Sequence, residues 1–214
     1  MERQLVTVCP ARWVRRGPRA AWIVVAFGLA LFLSNPAAAH MGTGLPGGLA
    51  SGFIHPFSGV DHLLAMVAVG LWGAFLGRPL IYVLPVVFPA MMLLGALMGM
   101  LGVPAPPVAI GIALSVVVLG TCIALSIRAP IWVASPIVAL FAMFHGYAHG
   151  HELPSAADPV GYSAGFVLAT GLLHISGISL GLLKARPHGV AATRGIGGII
   201  AALGAWSLYQ AIGT

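Results

Sequence analysis

Apolar stretches of about twenty residues recur along this chain, each close to the length a helix needs to cross the ~30 Å hydrocarbon core of a bilayer. They cover roughly 59–77, 80–102, 107–127, 130–149, 160–183 and 195–213. Proline and glycine punctuate the joints: "GRP" at 77–79, "GVPAPP" at 102–107, "RAP" at 128–130 and "LPSAADP" at 153–159. Charged residues make up 7% of the chain, against about 25% in a typical soluble domain. The expected fold class is all-α: a polytopic membrane helix bundle with a cleavable signal peptide followed by six transmembrane helices. No second domain, long linker or solenoid repeat is visible.

The formal charge of +6 is concentrated at the start. Arg3, Arg12, Arg15, Arg16 and Arg19 precede the apolar run Ala20–Leu33. That is the positive n-region of a signal sequence, and it does not call for nucleic acid. "SNPAAAH" follows, and Ala37-Ala38-Ala39 fits the small-residue cleavage pattern. Residues 1–39 are therefore expected to be a signal peptide and 40–214 a single six-helix domain beginning at His40. The alternative is an uncleaved anchor helix over Trp22–Ala39. Cleavage removes Cys9 and leaves Cys122 alone, so the fold needs no internal disulfide. The other basic residues are Arg78, Arg128, Lys184, Arg186 and Arg194, and all fall in alternate joints. The positive-inside rule puts those joints in the cytoplasm and both mature termini on the periplasmic side of a bacterial inner membrane. The glycine-rich stretch 41–57 is too short to span and reads as interfacial or re-entrant. No Walker-type phosphate loop is present, which argues against ATP-driven chemistry within the chain.

Against this background the ionisable residues stand out, because such groups are costly inside a bilayer. In "HPFSGVDH", 55–62, Asp61 lies between His55 and His62 at the start of an apolar run. In "FHGYAHGHE", 144–152, His145 and His149 are one helical turn apart and Glu152 is seven residues past His145. At 100° per residue these three share an arc of about 60°, whereas His151 points elsewhere. Two imidazoles and a carboxylate on one face suit divalent Ni, Co, Zn or Cu. The plain alternative is a helix end whose polar groups reach interfacial water. For the first stretch, Ser58-Gly-Val-Asp61 matches a capping box with Asp61 at N3. His55 precedes proline and is expected in an extended turn. His174 lies about 20 Å into its span, with Thr170 as its expected hydrogen-bond partner and a metal role as the other option. Met66, one turn below His62, is expected to be mainly packing, the alternative being a soft thioether that passes a metal onward. His188 sits among the cytoplasmic basic residues and reads as a solvated loop residue. His40, once N-terminal, would offer an α-amine and an imidazole that can chelate one divalent ion.

These two stretches resemble the HupE/UreJ family of small membrane permeases, linked to nickel or cobalt supply for hydrogenase and urease. The family pattern H-x5-D-H is met by His55, Asp61 and His62. The pattern F-H-G-x-A-H-G-x-E is met by Phe144, His145, Gly146, Ala148, His149, Gly150 and Glu152. "AHMGTGLPGGLASGF", "DHLLAMVAVGLWGA" and "FVLATGLLHISG" are also similar to the family, so the resemblance covers about 39–213. One departure is evident: many members carry P-x-V-E at the entry to the third span, where this chain has "PPVA" ending in Ala109.

The resemblance implies an inner-membrane permease importing Ni²⁺, with Co²⁺ next, and no prosthetic group. The expected metal residues are His55, Asp61, His62, His145, His149 and Glu152, with His40, His151 and His174 as weaker candidates. Its partners would be the ion, the lipid bilayer and, indirectly, hydrogenase or urease maturation proteins; its oligomeric state is open. Neutral imidazoles with carboxylates offset the ion's charge as its water is stripped, so protonation of histidine below pH ~6.5 should weaken capture. The rival is an intramembrane zinc hydrolase using the same cluster, with Asp61 or Glu152 as base. The absence of H-E-x-x-H counts against the most familiar helical pattern for such an enzyme.

Overall fold

A computed structural model describes residues 48–104, 107–152 and 158–213, the side chains of His151 and Glu152 excepted. The expected signal peptide and His40 lie outside the described residues. The elements are α1 (Leu49–Ser58), α2 (Val60–Leu76), α3 (Leu80–Met100), α4 (Val108–Ala124), α5 (Ile131–Glu152), α6 (Pro159–Gly181), a 3-10 turn (Leu182–Ala185) and α7 (Gly189–Gly213). No strand occurs among the described residues.

Each of the six apolar stretches holds a helix, but their lengths differ from the expectation. Four are long and apolar enough to cross a membrane alone: α3, α5, α6 with its 3-10 turn, and α7. A fifth span results if α1 and α2 are counted together, although they are bent by 88°. α2 and α4 have 17 residues each, at the lower end of what a bilayer requires. α7 starts at Gly189 rather than near 195.

α2 is the centre of the bundle. Leu64, Ala65, Met66, Ala68, Val69, Leu71 and Trp72 are all buried, so it is covered on every side. A helix apolar all round belongs in that position. It ends at Gly77, whose φ of 85° is open to glycine at little cost. Lys184 Nζ donates to the carbonyls of Ala74 (2.6 Å) and Phe75 (2.7 Å), satisfying two terminal acceptors with a cation.

The other helices pair around α2: α3 with α5, α4 with α7, and α6 with both α1 and α2. Small residues set these distances. A Cβ at Gly146 of α5 would collide with the Met92 carbonyl of α3, and one at Gly177 of α6 would collide with the Val67 carbonyl of α2. Such backbone approach is how membrane helices gain van der Waals contact when lipid supplies no hydrophobic drive. α6 begins on Asp158, whose carboxylate accepts from Gly161 N–H (2.9 Å), with Pro159 in its first turn. His188 is exposed in a left-handed loop position at φ 62°, as a solvated loop residue.

The start of α2 corrects two local expectations. The capping box does not form: Gly59 is the N-cap and no side chain caps the helix. Ser58 instead ends α1 and donates back to the Ile54 carbonyl (3.4 Å). The reason is Gly59 itself, which adopts φ −107° and ψ 120° and so breaks the chain into two helices one residue later than Ser58. His55 is helical, not extended, despite Pro56. α1 packs so closely on α6 that a Cβ at Gly52 would strike the Tyr162 carbonyl, and this packing overrides the pre-proline bias.

Candidate metal centre

The 88° bend between α1 and α2 brings the end of one helix over the start of the next. His55 on α1 and His62 on α2 consequently have ring centroids 6.3 Å apart. The last turns of α5 run past the same point. His149 lies 4.8 Å from His55 and 5.0 Å from His62, and His145 lies 5.1 Å from His62. The two sequence motifs, far apart in the chain, thus meet in one cluster of four imidazoles. Phe166 and Tyr162 of α6 wall the His55 side, and Phe166 also packs on His149 at 4.5 Å.

Asp61 belongs to His62. Its Oδ1 accepts the His62 backbone N–H (2.9 Å) and lies 3.0 Å from His62 Nδ1. Holding one ring nitrogen with a carboxylate leaves the other for a ligand, the arrangement found behind metal-binding histidines. His145 is fixed by a different acceptor, with Nδ1 2.9 Å from the Phe141 carbonyl. A carbonyl can only accept, so His145 Nδ1 carries the proton and Nε2 carries the lone pair. Nε2 of His62 and of His145, and both ring nitrogens of His149, are buried without a hydrogen-bond partner. An unsatisfied buried acceptor costs about 1–3 kcal/mol, and several in one place call for a ligand rather than for packing.

The rings meet edge to face. Among the described residues no three of His, Cys, Asp and Glu are arranged to hold a metal ion as they stand. Spacing decides whether side-chain rotation is enough. An imidazole nitrogen about 2.1 Å from a dication sets its ring centre about 3.2 Å away, so two ligand rings lie within about 6.5 Å of each other. The four separations, 4.8 to 6.3 Å, all fall inside that limit.

α5 continues helically to Glu152, which keeps Glu152 on the expected helical register; the side chains of Glu152 and His151 lie outside the described residues. His149 also lines a cleft of about 90 Å³ between α3, α5 and α6, together with Met92, Gly146, Ser163 and Phe166. His174 is not in the cluster. It is buried in the bundle core, and its Nδ1 lies 2.8 Å from the Met66 carbonyl of α2. Thr170, its expected partner, donates instead to the Met66 sulfur at 3.5 Å. Met66 is therefore an anchor for both α6 side chains as well as a packing residue. Phe88, which no sequence signal singled out, packs its ring against both His145 and His174.

The model for the family described as HupE / UreJ protein matches residues 28–207. This chain belongs to the HupE/UreJ family. A relative, Protein HupE of Rhizobium leguminosarum bv. viciae, is 43% identical over 176 residues, which cover 82% of this chain and 92% of the relative. No solved structure matches. Membership and the long apolar helices make the chain a multi-pass membrane protein associated with metal transport. They do not favour the zinc-hydrolase alternative.

Proposed function

We propose that this HupE/UreJ protein is an inner-membrane permease that imports Ni²⁺, with Co²⁺ as its next best cargo, for hydrogenase or urease maturation. His55, Asp61, His62, His145, His149 and Glu152 would form the capture site on the periplasmic side. The observation that carries this reading is the convergence of four imidazoles, three of which (His62, His145 and His149) have unpartnered buried nitrogens and one of which (His62) is backed by Asp61. Imidazole nitrogen with a few carboxylate oxygens is a donor set for borderline dications and a poor one for Mg²⁺ or Ca²⁺. The basic joints support the orientation, and an inside-negative potential favours entry of a dication by about 4.6 kcal/mol per 100 mV, twice the single-charge value.

Ala109 is exposed in the first turn of α4, where no acidic residue stands. Capture would then rest on Asp61 and Glu152 alone for carboxylate. His40 remains a chelating candidate at the entrance if cleavage follows Ala39.

Radioactive Ni²⁺ uptake into proteoliposomes tests the proposal. Wild type should accumulate Ni²⁺, with competition by Co²⁺ and not by Mg²⁺. His62→Ala and His145→Ala should each abolish it. Uptake by either variant at the wild-type rate, or none by wild type, would contradict the reading.

A further inference from the structure

We propose that His174 and Met66 form a second, inner station for the dication, reached from His145 past the ring of Phe88. This inference rests on the permease reading of the outer cluster and adds a binding site within the bundle.

His174 is 2% exposed and lies in the core, where a histidine without a task is an expensive substitute for leucine. The Met66 carbonyl fixes its Nδ1 as the protonated nitrogen, so the lone pair sits on Nε2. Nε2 is buried and has no hydrogen-bond partner. His145 is held in the same tautomer by the Phe141 carbonyl, with the same free, buried Nε2. Two imidazoles on different helices are thus each locked by a backbone carbonyl in the form that binds metal.

They flank one residue. Phe88 of α3 is fully buried, and its ring centre lies 5.5 Å from that of His145 and 5.3 Å from that of His174. His145 also belongs to the outer cluster through His62. The chain of rings His62, His145, Phe88, His174 therefore runs from the bend at Gly59 into the core. An ion moving from one imidazole to the other would have to pass the Phe88 ring, which packs against both.

The chemistry at the inner end suits a weaker hold. The Met66 sulfur accepts from the Thr170 hydroxyl, and Thr170 lies one turn of α6 before His174. Imidazole with a soft thioether accepts Ni²⁺, Co²⁺ or Cu²⁺ and has little to offer a hard cation. The contacts of His174 include no carboxylate, whereas the outer cluster has Asp61. An ion would be captured where charge compensates it and held more loosely further in, as net movement requires.

Co²⁺ titration of the detergent-solubilised full chain, followed by its d–d absorption, separates the stations. Wild type should show two binding phases. His174→Phe should keep the tighter phase and lose the weaker one. Met66→Leu preserves the carbonyl that orients His174, so it should weaken only the second phase, by about tenfold. Both variants should slow Ni²⁺ uptake in proteoliposomes by at least about tenfold at saturating metal. A weaker phase unchanged in His174→Phe, or a single phase in wild type, overturns the inner station and leaves the permease reading standing. Two phases as expected without uptake by wild type would overturn the permease reading instead. If His174→Phe fails to fold, Met66→Leu decides, and an unchanged second phase there overturns the inner station.

Discussion

Asp61 matters more to His62 than to the helix whose first turn it occupies. Its hydrogen bonds go to the histidine backbone and ring, and none caps α2. Asp61→Asn keeps an acceptor oxygen and removes the charge. Equilibrium Ni²⁺ binding should weaken about 10- to 100-fold, the usual effect of losing a carboxylate behind a ligand histidine, while the melting temperature changes little. His145→Phe makes the complementary point. It removes an unpartnered buried nitrogen, so thermal unfolding in detergent should occur at an equal or higher temperature even as uptake is lost. A clear drop in stability would make His145 a structural residue. At this scale the sequence was informative about which residues are unusual: intramembrane histidines beside rare carboxylates need a reason. It was not informative about their partners. S-x-x-D at 58–61 fits a capping box until Gly59 turns extended, and no pattern distinguishes the Met66 carbonyl as the acceptor for His174.

α6 is the element that ties the site to the fold. Its first half packs on α1 and its second half on α2, so it holds both sides of the bend at Gly59. The contact depends on missing side chains. A leucine at Gly177 would press on the Val67 carbonyl of α2 and displace the helix that carries His174. Gly177→Leu should destabilise the bundle by about 1–3 kcal/mol or more, seen as a lower melting temperature. The same change at Gly171, where an added Cβ meets nothing within 4 Å, should be tolerated. Hydropathy made the helices themselves legible, because each must bury its backbone hydrogen bonds internally. It left the α1–α2 bend out of reach. The glycine-rich 41–57 stretch pointed to something other than a plain span, but helix α1 and its angle depend on contacts with α6. The abundance of glycine was visible too, and which glycine meets which carbonyl was not.

Across the described residues, charge is divided between two ends. Asp61 and the imidazole cluster sit where α2 begins, and Lys184 caps α2 where it ends. Arg194 similarly donates to the Ala124 carbonyl at the end of α4 (2.8 Å). Basic side chains at these helix C-termini complement the helix dipoles. In the proposed orientation, a dication moving from the acidic end toward the basic end would move down the membrane potential. Imposing about 100 mV, negative inside, on proteoliposomes should raise the equilibrium accumulation of Ni²⁺ by roughly 10³-fold. Accumulation indifferent to potential would require a compensating counter-ion and a different transport cycle.

In the proposed site, α1, α2 and α5 contribute imidazoles to one ion. X-ray absorption at the nickel edge of the metal-loaded protein counts those ligands directly. Wild type should show scattering from at least three imidazoles, with fewer in His62→Ala and in His149→Ala. A nickel ion surrounded by water oxygen, or an imidazole count unchanged in both variants, would contradict it.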